Sequence, residues 1–145
     1  MKRMPLPLDR VLFVSQNRAE AMRPPGRCGL ISITDPGRAP AQLEDGWAAV
    51  LRLSFHDVDP ISRPEEVEDL REITRAQAEQ IARFCLSEPG CRRIVVHCRY
   101  GVSRSAAVAK ALSEAAGLAF PRDYDDHNRF VYRLVLDTLR RALEA

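Results

Sequence analysis

The segment Arg92–His97 constrains the fold more than any other part of the chain, because its middle is an uninterrupted apolar, β-branched run. No polar residue alternates with Ile94, Val95 and Val96, so the pattern predicts a strand that is covered on both faces of its sheet. Such strands are typical of the interior of parallel sheets. We therefore expect this segment to be the central strand of an α/β domain.

The rest of the chain alternates between strand-like and helix-like segments. Three further short apolar runs predict strands, at Arg10–Ser15, Cys28–Ile33 and Trp47–Leu53. Helical segments are predicted at Gln16–Met22, from Pro64 to about Leu86, at the alanine-rich Ser103–Ala116, and at about Tyr124–Leu143. This alternation predicts a mostly parallel sheet of four to five strands flanked by helices.

Length and charge restrict the class of protein. A chain of 145 residues fits one domain, 1–145, since domains commonly hold roughly 100–200 residues. A formal net charge of +2 gives no indication of a nucleic-acid partner. No apolar stretch is long enough for a membrane span or a signal peptide, so we expect a cytoplasmic protein with no membrane association. The four cysteines, at 28, 85, 91 and 98, are then expected to be free thiols.

The predicted sheet also locates the ligand-binding edge. Ligands of open α/β sheets bind beyond the carboxyl ends of the strands, which here directs attention to loops that begin near Ser15, Asp35, His56 and His97. Asp35 is followed by Pro and Gly, a combination that favours a turn, with a place in a pocket wall as the lesser alternative.

The loop after the predicted central strand carries the most specific motif of the chain, His97-Cys98-Arg99-Tyr100-Gly101-Val102-Ser103-Arg104-Ser105. With 20 Arg among 145 residues, a cysteine followed six positions later by an arginine is expected about 0.55 times by composition alone. Requiring also the preceding His, the Gly and the final Ser lowers that expectation to about 3 × 10⁻⁵. An apolar strand before and an alanine-rich helix after are the setting that a phosphate-binding loop needs.

The chemistry of this loop follows from its position. Backbone N–H groups and the helix N-terminus favour a dianion above Cys98, and they stabilise the thiolate form that acts as a nucleophile. The guanidinium of Arg104 can donate two parallel hydrogen bonds to phosphoryl oxygens. Ser103 and Ser105 offer hydroxyls, one of which could donate to the sulfur when it leaves. We expect His97 to orient the loop and not to donate the proton.

Residues 97–105 match H-C-x-x-G-x-S-R-S, which resembles the signature loop of the cysteine-dependent protein tyrosine phosphatase superfamily, and the Ser-Arg-Ser ending is most similar to its dual-specificity branch. Leu51–Asp57 resembles the strand and acid loop of those enzymes. His127–Leu134 resembles the start of their last helix, with His127 in place of a proline. The arrangement is similar to that of a small bacterial-type predicted tyrosine phosphatase, with the resemblance densest at 94–112.

The resemblance implies one phosphatase-like domain and a metal-independent hydrolase of phosphotyrosine, with phosphoserine and phosphothreonine as further substrates. It implies that Cys98 forms a phosphocysteine and that Asp57 is the general acid and base. Asp59 is the alternative acid. The implied catalytic set is Cys98, Arg104, Asp57 and Ser105, the implied substrate-binding residues are Arg99, Tyr100, Gly101, Val102, Ser103 and Arg104, and the implied supporting residues are His97, Asn128 and Asp59. It implies no cofactor and no metal.

Several alternatives stay open at this stage. Tyr100 stands where these phosphatases usually have a small residue, and its ring either lines the pocket or narrows its mouth. Asn128 is better explained as a helix cap than as a catalytic group, with a supporting role in the site as the alternative. A phosphorylated protein or peptide is the expected partner, and phosphate, sulfate or vanadate should bind the loop. The competing functions are a catalytically weak phosphate-binding module, a phosphatase of phosphoinositides or RNA 5′ ends, and a sulfurtransferase or arsenate reductase.

Overall fold

The computed structural model describes residues 4–64, 70–87 and 91–144. Within these ranges, four strands and four helices follow one another: β1 (Arg10–Ser15), α1 (Gln16–Ala21), β2 (Cys28–Thr34), β3 (Ala49–Ser54), α2 (Arg75–Ser87), β4 (Arg93–Cys98), α3 (Arg104–Ala116) and α4 (Arg129–Glu144). Each predicted strand is confirmed to within two residues at either end. The third begins at Ala49 and not at Trp47, because a turn at Asp45 and Gly46, the latter with a φ of 105°, precedes it.

The four strands form one parallel sheet in the order β1-β4-β2-β3. The predicted α/β fold is therefore confirmed, with four strands in the sheet, and the predicted interior position of β4 is confirmed as well. Since β4 lies between β1 and β2, its carboxyl end adjoins Ser15 of one neighbour and the end of the other. The change of strand order at this point opens the crevice in which α/β folds bind ligands.

The continuous apolar run of β4 is explained by cover on both faces of the sheet. Ile94 and Val96 lie in the larger core, where α2, α3 and α4 pack on one face. Val95 points to the opposite face and packs with Ala19 of α1 and with Leu30. Each of these strand residues is at most 1% exposed.

The predicted helix from Pro64 to about Leu86 is wrong at its start. Residues 70–74 are not helical, α2 begins at Arg75, and residues 65–69 lie outside the described residues. The start is fixed by Thr74, whose Oγ1 accepts from Gln77 N at 3.1 Å, while Thr74 N donates to Gln77 Oε1 at 2.9 Å. This reciprocal pair is a capping box. Arg71 is held apart from the helix by its backbone hydrogen bonds with His56.

The predicted start of the last helix at about Tyr124 is also wrong, because α4 begins at Arg129. Asn128 caps that helix through Oδ1, which accepts from Val131 N at 2.9 Å. Tyr124 instead belongs to a turn, with its N–H donating to Pro121 O. Over the described parts of the chain, no helix has both the length and the apolar character of a membrane span.

Candidate active site

The loop 99–103 joins the end of β4 to the start of α3 and places Cys98 at its base. Cys98 is 2% exposed, and its Sγ lies 3.1 Å from Ser105 Oγ. The thiol donates in that contact, and the serine hydroxyl can donate instead when the sulfur is a thiolate. The N-terminal N–H groups and the dipole of the 13-residue α3 favour negative charge at this point.

Gly101 allows the loop to lie directly on the end of β1. Its φ is +70°, and a Cβ at this position would lie 2.4 Å from Ser15 N and 2.5 Å from the carbonyl carbon of Val14. Backbone atoms cannot move aside as a flexible side chain can, so only glycine fits. On the other side of the contact, Gln16 N donates to Arg99 O at 3.3 Å.

The guanidinium of Arg104 donates to two protein acceptors through a single nitrogen. It is 5% exposed, and its Nη1 donates to Asp35 Oδ1 and to Phe55 O, each at 2.7 Å. Both contacts use Nη1, so within the described parts of the chain the Nε–Nη2 edge has no protein partner. That edge is the one that can donate two parallel hydrogen bonds to an oxyanion.

Asp57 lies beyond β3 and faces the loop. Its Oδ1 accepts from Ser103 Oγ at 2.8 Å and from Asn128 Nδ2 at 2.9 Å, and Arg63 pairs with the same oxygen at 3.6 Å. Among the described residues, Oδ2 has no hydrogen-bonding partner. Asp57 is therefore tied to the loop while one carboxylate oxygen stays available.

Asp59, the alternative acid, has a different environment. It is 2% exposed, its Oδ1 accepts from Ile61 N and Ser62 N at 3.1 Å, and its Oδ2 accepts from Arg129 N at 2.8 Å. Burial opposes ionisation of this carboxyl, but the backbone donors outweigh it and lower its pKa. With both oxygens bound to backbone N–H groups, Asp59 joins the segment after β3 to the start of α4. Of the two carboxylates, Asp57 is the one that contacts the loop 99–103.

Asn128 combines the two roles that the sequence left open. While Oδ1 caps α4, Nδ2 donates both to Asp57 Oδ1 and to Val58 O at 2.9 Å. Its backbone N–H donates to Ser103 O at 3.1 Å. One buried residue therefore connects the segment after β3, the loop 99–103 and α4.

His97 is fully buried, and its Nε2 lies 2.6 Å from Ser32 Oγ. Burial is the main cause that lowers its pKa, so the ring is neutral at pH 7. This environment fits the expected orienting role, because the ring joins the base of the loop to β2.

The predicted substrate-binding residues differ in their exposure. Gly101 packs on the end of β1, whereas Tyr100 is 70% exposed, with the Arg99 guanidinium 5.2 Å from its ring centroid. Two open cavities flank the loop. One, of about 460 Å³, lies on the Tyr100 side, and the other, of about 340 Å³, lies on the side of Val102, Ser103 and Asp57.

Sequence reasoning missed two residues that contact the site and ranked the role of a third too low. Asp35 was expected chiefly as a turn residue, with a place in a pocket wall as the lesser alternative, and it both lines a cavity and pairs with Arg104. Ser32 and Tyr124 were not singled out, although the former contacts His97 and the hydroxyl of the latter donates to Val102 O. Asp35 carried a signal, its place at the carboxyl end of a strand, but the other two contacts join residues far apart in the sequence.

The other three cysteines lie away from the loop or are deeply buried, and all four are free. Cys28 is in register with Arg93, five residues before Cys98, which corresponds to roughly 16 Å along the sheet. Burial, with the neighbouring Cys91, raises the pKa of Cys85 to about 12, which fits an inert core thiol. Among the described residues, no three or more His, Cys, Asp or Glu are grouped to hold a metal ion.

Comparisons with known proteins bear on the fold. No family model and no curated protein sequence matches the chain. Among solved structures, it is similar to the crystal structure of human tyrosine phosphatase-like serine/threonine/tyrosine-interacting protein, with a TM-score of 0.57. That match has 18% identity and covers 98% of this chain and 99% of the human one. The chain therefore has a tyrosine phosphatase-like fold over almost its whole length.

Proposed function

We propose that this protein is a metal-independent phosphomonoester hydrolase that acts on phosphotyrosine, and also on phosphoserine and phosphothreonine, through a phosphocysteine on Cys98. The observation that carries the proposal is the position of Cys98 Sγ beneath the N-terminus of α3, 3.1 Å from Ser105 Oγ. A buried thiol with a hydroxyl partner, at the end of a helix that favours anions, suits a nucleophile that attacks a phosphate group.

In the first step, the Cys98 thiolate attacks phosphorus, an S–P bond forms, and the bond from phosphorus to the leaving oxygen breaks. Arg104 donates from its Nε–Nη2 edge to two phosphoryl oxygens, because its Nη1 is already engaged by Asp35 and Phe55. Asp57, when protonated, gives its proton to the leaving oxygen through the carboxyl group that faces the loop.

In the second step, the Asp57 carboxylate takes a proton from water, the water oxygen attacks phosphorus, and the S–P bond breaks. The sulfur leaves as a thiolate, and Ser105 Oγ is placed to donate a hydrogen bond to it. Ser103 and Asn128 hold Asp57 against the loop during both steps. Inorganic phosphate is the product, and the expected substrate is a phosphorylated protein or peptide.

The test is hydrolysis of p-nitrophenyl phosphate in reducing, metal-free buffer as a function of pH. We expect Cys98→Ser to lower kcat by at least about 10³-fold, because the nucleophile is lost. Asp57→Ala should lower kcat by about 10²- to 10⁴-fold, the usual contribution of a general acid, and should remove one limb of the pH profile. Cys28→Ser, a buried thiol at the other end of the sheet, serves as the matched control and should keep wild-type activity.

A second candidate is a phosphate-binding module with little turnover. It is favoured by the three donors gathered on Asp57 Oδ1, which tie down the group that would have to release a proton. The human fold neighbour, described as phosphatase-like and as an interacting protein, is compatible with this alternative. Binding of vanadate to the wild-type protein without any hydrolysis of the aryl phosphate would contradict the enzyme and support the module.

A further inference from the structure

The cavity of about 460 Å³ beside the loop takes no part in the two chemical steps proposed above, although Arg99 and Tyr100 of its wall are among the residues expected to bind substrate. It lies between the segments that follow β1, β2 and β4, and its walls include Gln16, Asn17, Asp35, Arg38, Arg99 and Tyr100. Its volume falls within the range of roughly 300–1,000 Å³ that is typical of ligand sites. Asp57 and Asn128 line the other cavity, on the opposite side of the loop.

Two arginines supply the positive charge of the cavity wall. Arg38 is 60% exposed, its backbone N–H donates to Asp35 O at 3.1 Å, and its Nε lies 3.7 Å from Asp35 Oδ2. Arg99 stands over the ring of Tyr100. Both guanidinium groups are therefore positioned by a neighbour and are open to solvent, and the amide side chains of Gln16 and Asn17 add neutral hydrogen-bonding groups to the wall.

The carboxylate of Asp35 connects this cavity to the phosphate-binding loop. Its Oδ1 accepts from Arg104, while its Oδ2 pairs with Arg38. Arg38 and Arg104 thus contact different oxygens of a single carboxylate. Arg38 and Arg99 line the cavity together with the single carboxylate of Asp35, so its wall carries an excess of positive charge.

We propose that this cavity is a subsite for a second anionic group, a carboxylate or a phosphate, on a residue close to the phosphorylated residue of the substrate. The proposal rests on the function proposed above and narrows its substrate class to acidic or multiply phosphorylated peptides. Arg38 and Arg99 bind the second anion, while the loop and Arg104 bind the first. The selectivity is electrostatic, so it weakens as salt screens the exposed guanidinium groups.

The experiment measures binding, so that it does not depend on turnover. Cys98→Ser protein is titrated with fluorescent phosphotyrosine peptides that carry Gln, Glu or phosphoserine at each of the two positions before and after the phosphotyrosine. We expect the best Glu or phosphoserine peptide to bind about 2- to 10-fold more tightly than its Gln counterpart at low salt, as two exposed charge pairs allow. The Glu and phosphoserine arms show whether the second group is a carboxylate or a phosphate.

The variants Arg38→Gln and Arg38→Gln/Arg99→Gln, each combined with Cys98→Ser, should reduce this preference towards unity. Arg141→Gln, an exposed ion-paired arginine on α4, is the matched control and should leave the preference unchanged. Equal binding of all peptides by the Cys98→Ser protein, or a preference that persists in the double arginine variant, would overturn the subsite. Absence of aryl phosphate hydrolysis by the wild type, together with an Arg38-dependent preference, would contradict the enzyme and leave the subsite standing.

Discussion

Asp35 illustrates how one residue acquires a role that its neighbours in the sequence do not reveal. Its Pro and Gly neighbours predict a turn, and the turn forms, since Arg38 N donates to Asp35 O. The side chain, however, pairs at 2.7 Å with Arg104, which is 69 positions away along the chain. The carboxylate binds Nη1 of the guanidinium, and among the described residues the Nε–Nη2 edge has no protein partner.

Two substitutions of Asp35 distinguish the effect of its negative charge from the effect of its hydrogen bond with Arg104. Asp35→Ala removes the acceptor, and because a hydrogen bond to a charged group contributes about 1.5–3 kcal/mol, kcat/KM for p-nitrophenyl phosphate should fall by about 10- to 100-fold. Asp35→Asn keeps an amide oxygen as acceptor for Arg104 and should recover most of that loss. Steady-state kinetics of both variants is the measurement.

Asp9→Ala is the matched control for this pair. Asp9 also pairs with an arginine, Arg92 at 2.9 Å, but it precedes β1 and therefore lies at the opposite end of the sheet. We expect its loss to leave the kinetics unchanged. Wild-type kinetics in Asp35→Ala would show that Phe55 O alone is sufficient to position Arg104.

At the residue scale, groupings of residues close together in the sequence were predicted, whereas contacts between distant residues were not. Cys98, Gly101, Arg104 and Ser105 stand in one short segment, so their spacing alone indicates that they lie together where β4, the loop 99–103 and α3 meet. The protein partners of Arg104, which are Asp35 and Phe55, follow β2 and β3, and each of these contacts joins residues that are distant in the sequence. Pairings of this kind depend on strand order, which apolar periodicity does not specify.

At the scale of elements, the presence and approximate position of each helix were predicted better than the residue at which it begins. Both α2 and α4 begin later than their apolar patterns suggest, at Arg75 and Arg129, because side-chain caps at Thr74 and Asn128 fix the first turn. Many other Ser, Thr, Asp and Asn residues in the sequence are also able to cap a helix. Tertiary contacts determine which of them does so. The Asn128 cap is selected because the same side chain also binds Asp57 and Val58.

This dual role makes Asn128→Ala a specific prediction about how α4 supports the site. Loss of the cap should lower the free energy of unfolding by about 0.5–2 kcal/mol, measured by urea denaturation. Loss of the Nδ2 donor should also release Asp57, so kcat for p-nitrophenyl phosphate should fall as well. Thr74→Ala is matched for the cap, since it weakens the start of α2 without a described contact to Asp57, and it should lower stability alone. Equal kcat in the two variants would contradict a role for Asn128 in holding Asp57.

At the scale of the whole molecule, the order β1-β4-β2-β3 explains why the site lies where it does. The apolar run of β4 predicted an interior strand, and the parallel arrangement then places the ends of all four strands at one edge. The sequence pattern does not show which strands flank β4. Because β1 and β2 are its neighbours, Ser15 of β1, Ser32 of β2 and Asp35, which follows β2, lie around the loop. The fold class was therefore predictable from local patterns, whereas the walls of the site were not.

The buried histidines and Asp59 also make the stability of the whole fold depend on pH. Burial is the main cause that lowers the pKa values of His97 and His127, so the folded state binds their protons less readily than the unfolded state does. The contribution of the two neutral imidazole rings to the free energy of unfolding is fully present above the unfolded pKa of about 6.5. It is lost as pH falls through their lower folded pKa values. Asp59 acts in the same direction at lower pH, because its carboxylate is stabilised by backbone donors only in the folded state.

We therefore expect the free energy of unfolding to be nearly constant above about pH 7, to decline below about pH 6.5, and to decline further below about pH 4. Each group that takes up a proton on unfolding contributes a slope of at most about 1.4 kcal/mol per pH unit. Urea denaturation between pH 8 and pH 3 measures the profile. His97→Asn and His127→Asn should each flatten the upper decline, because the titrating ring is gone, while Asp59→Asn should flatten the lower one. A profile of the wild-type protein that stays level from pH 7.5 to pH 5 would show that neither ring is held neutral by the fold.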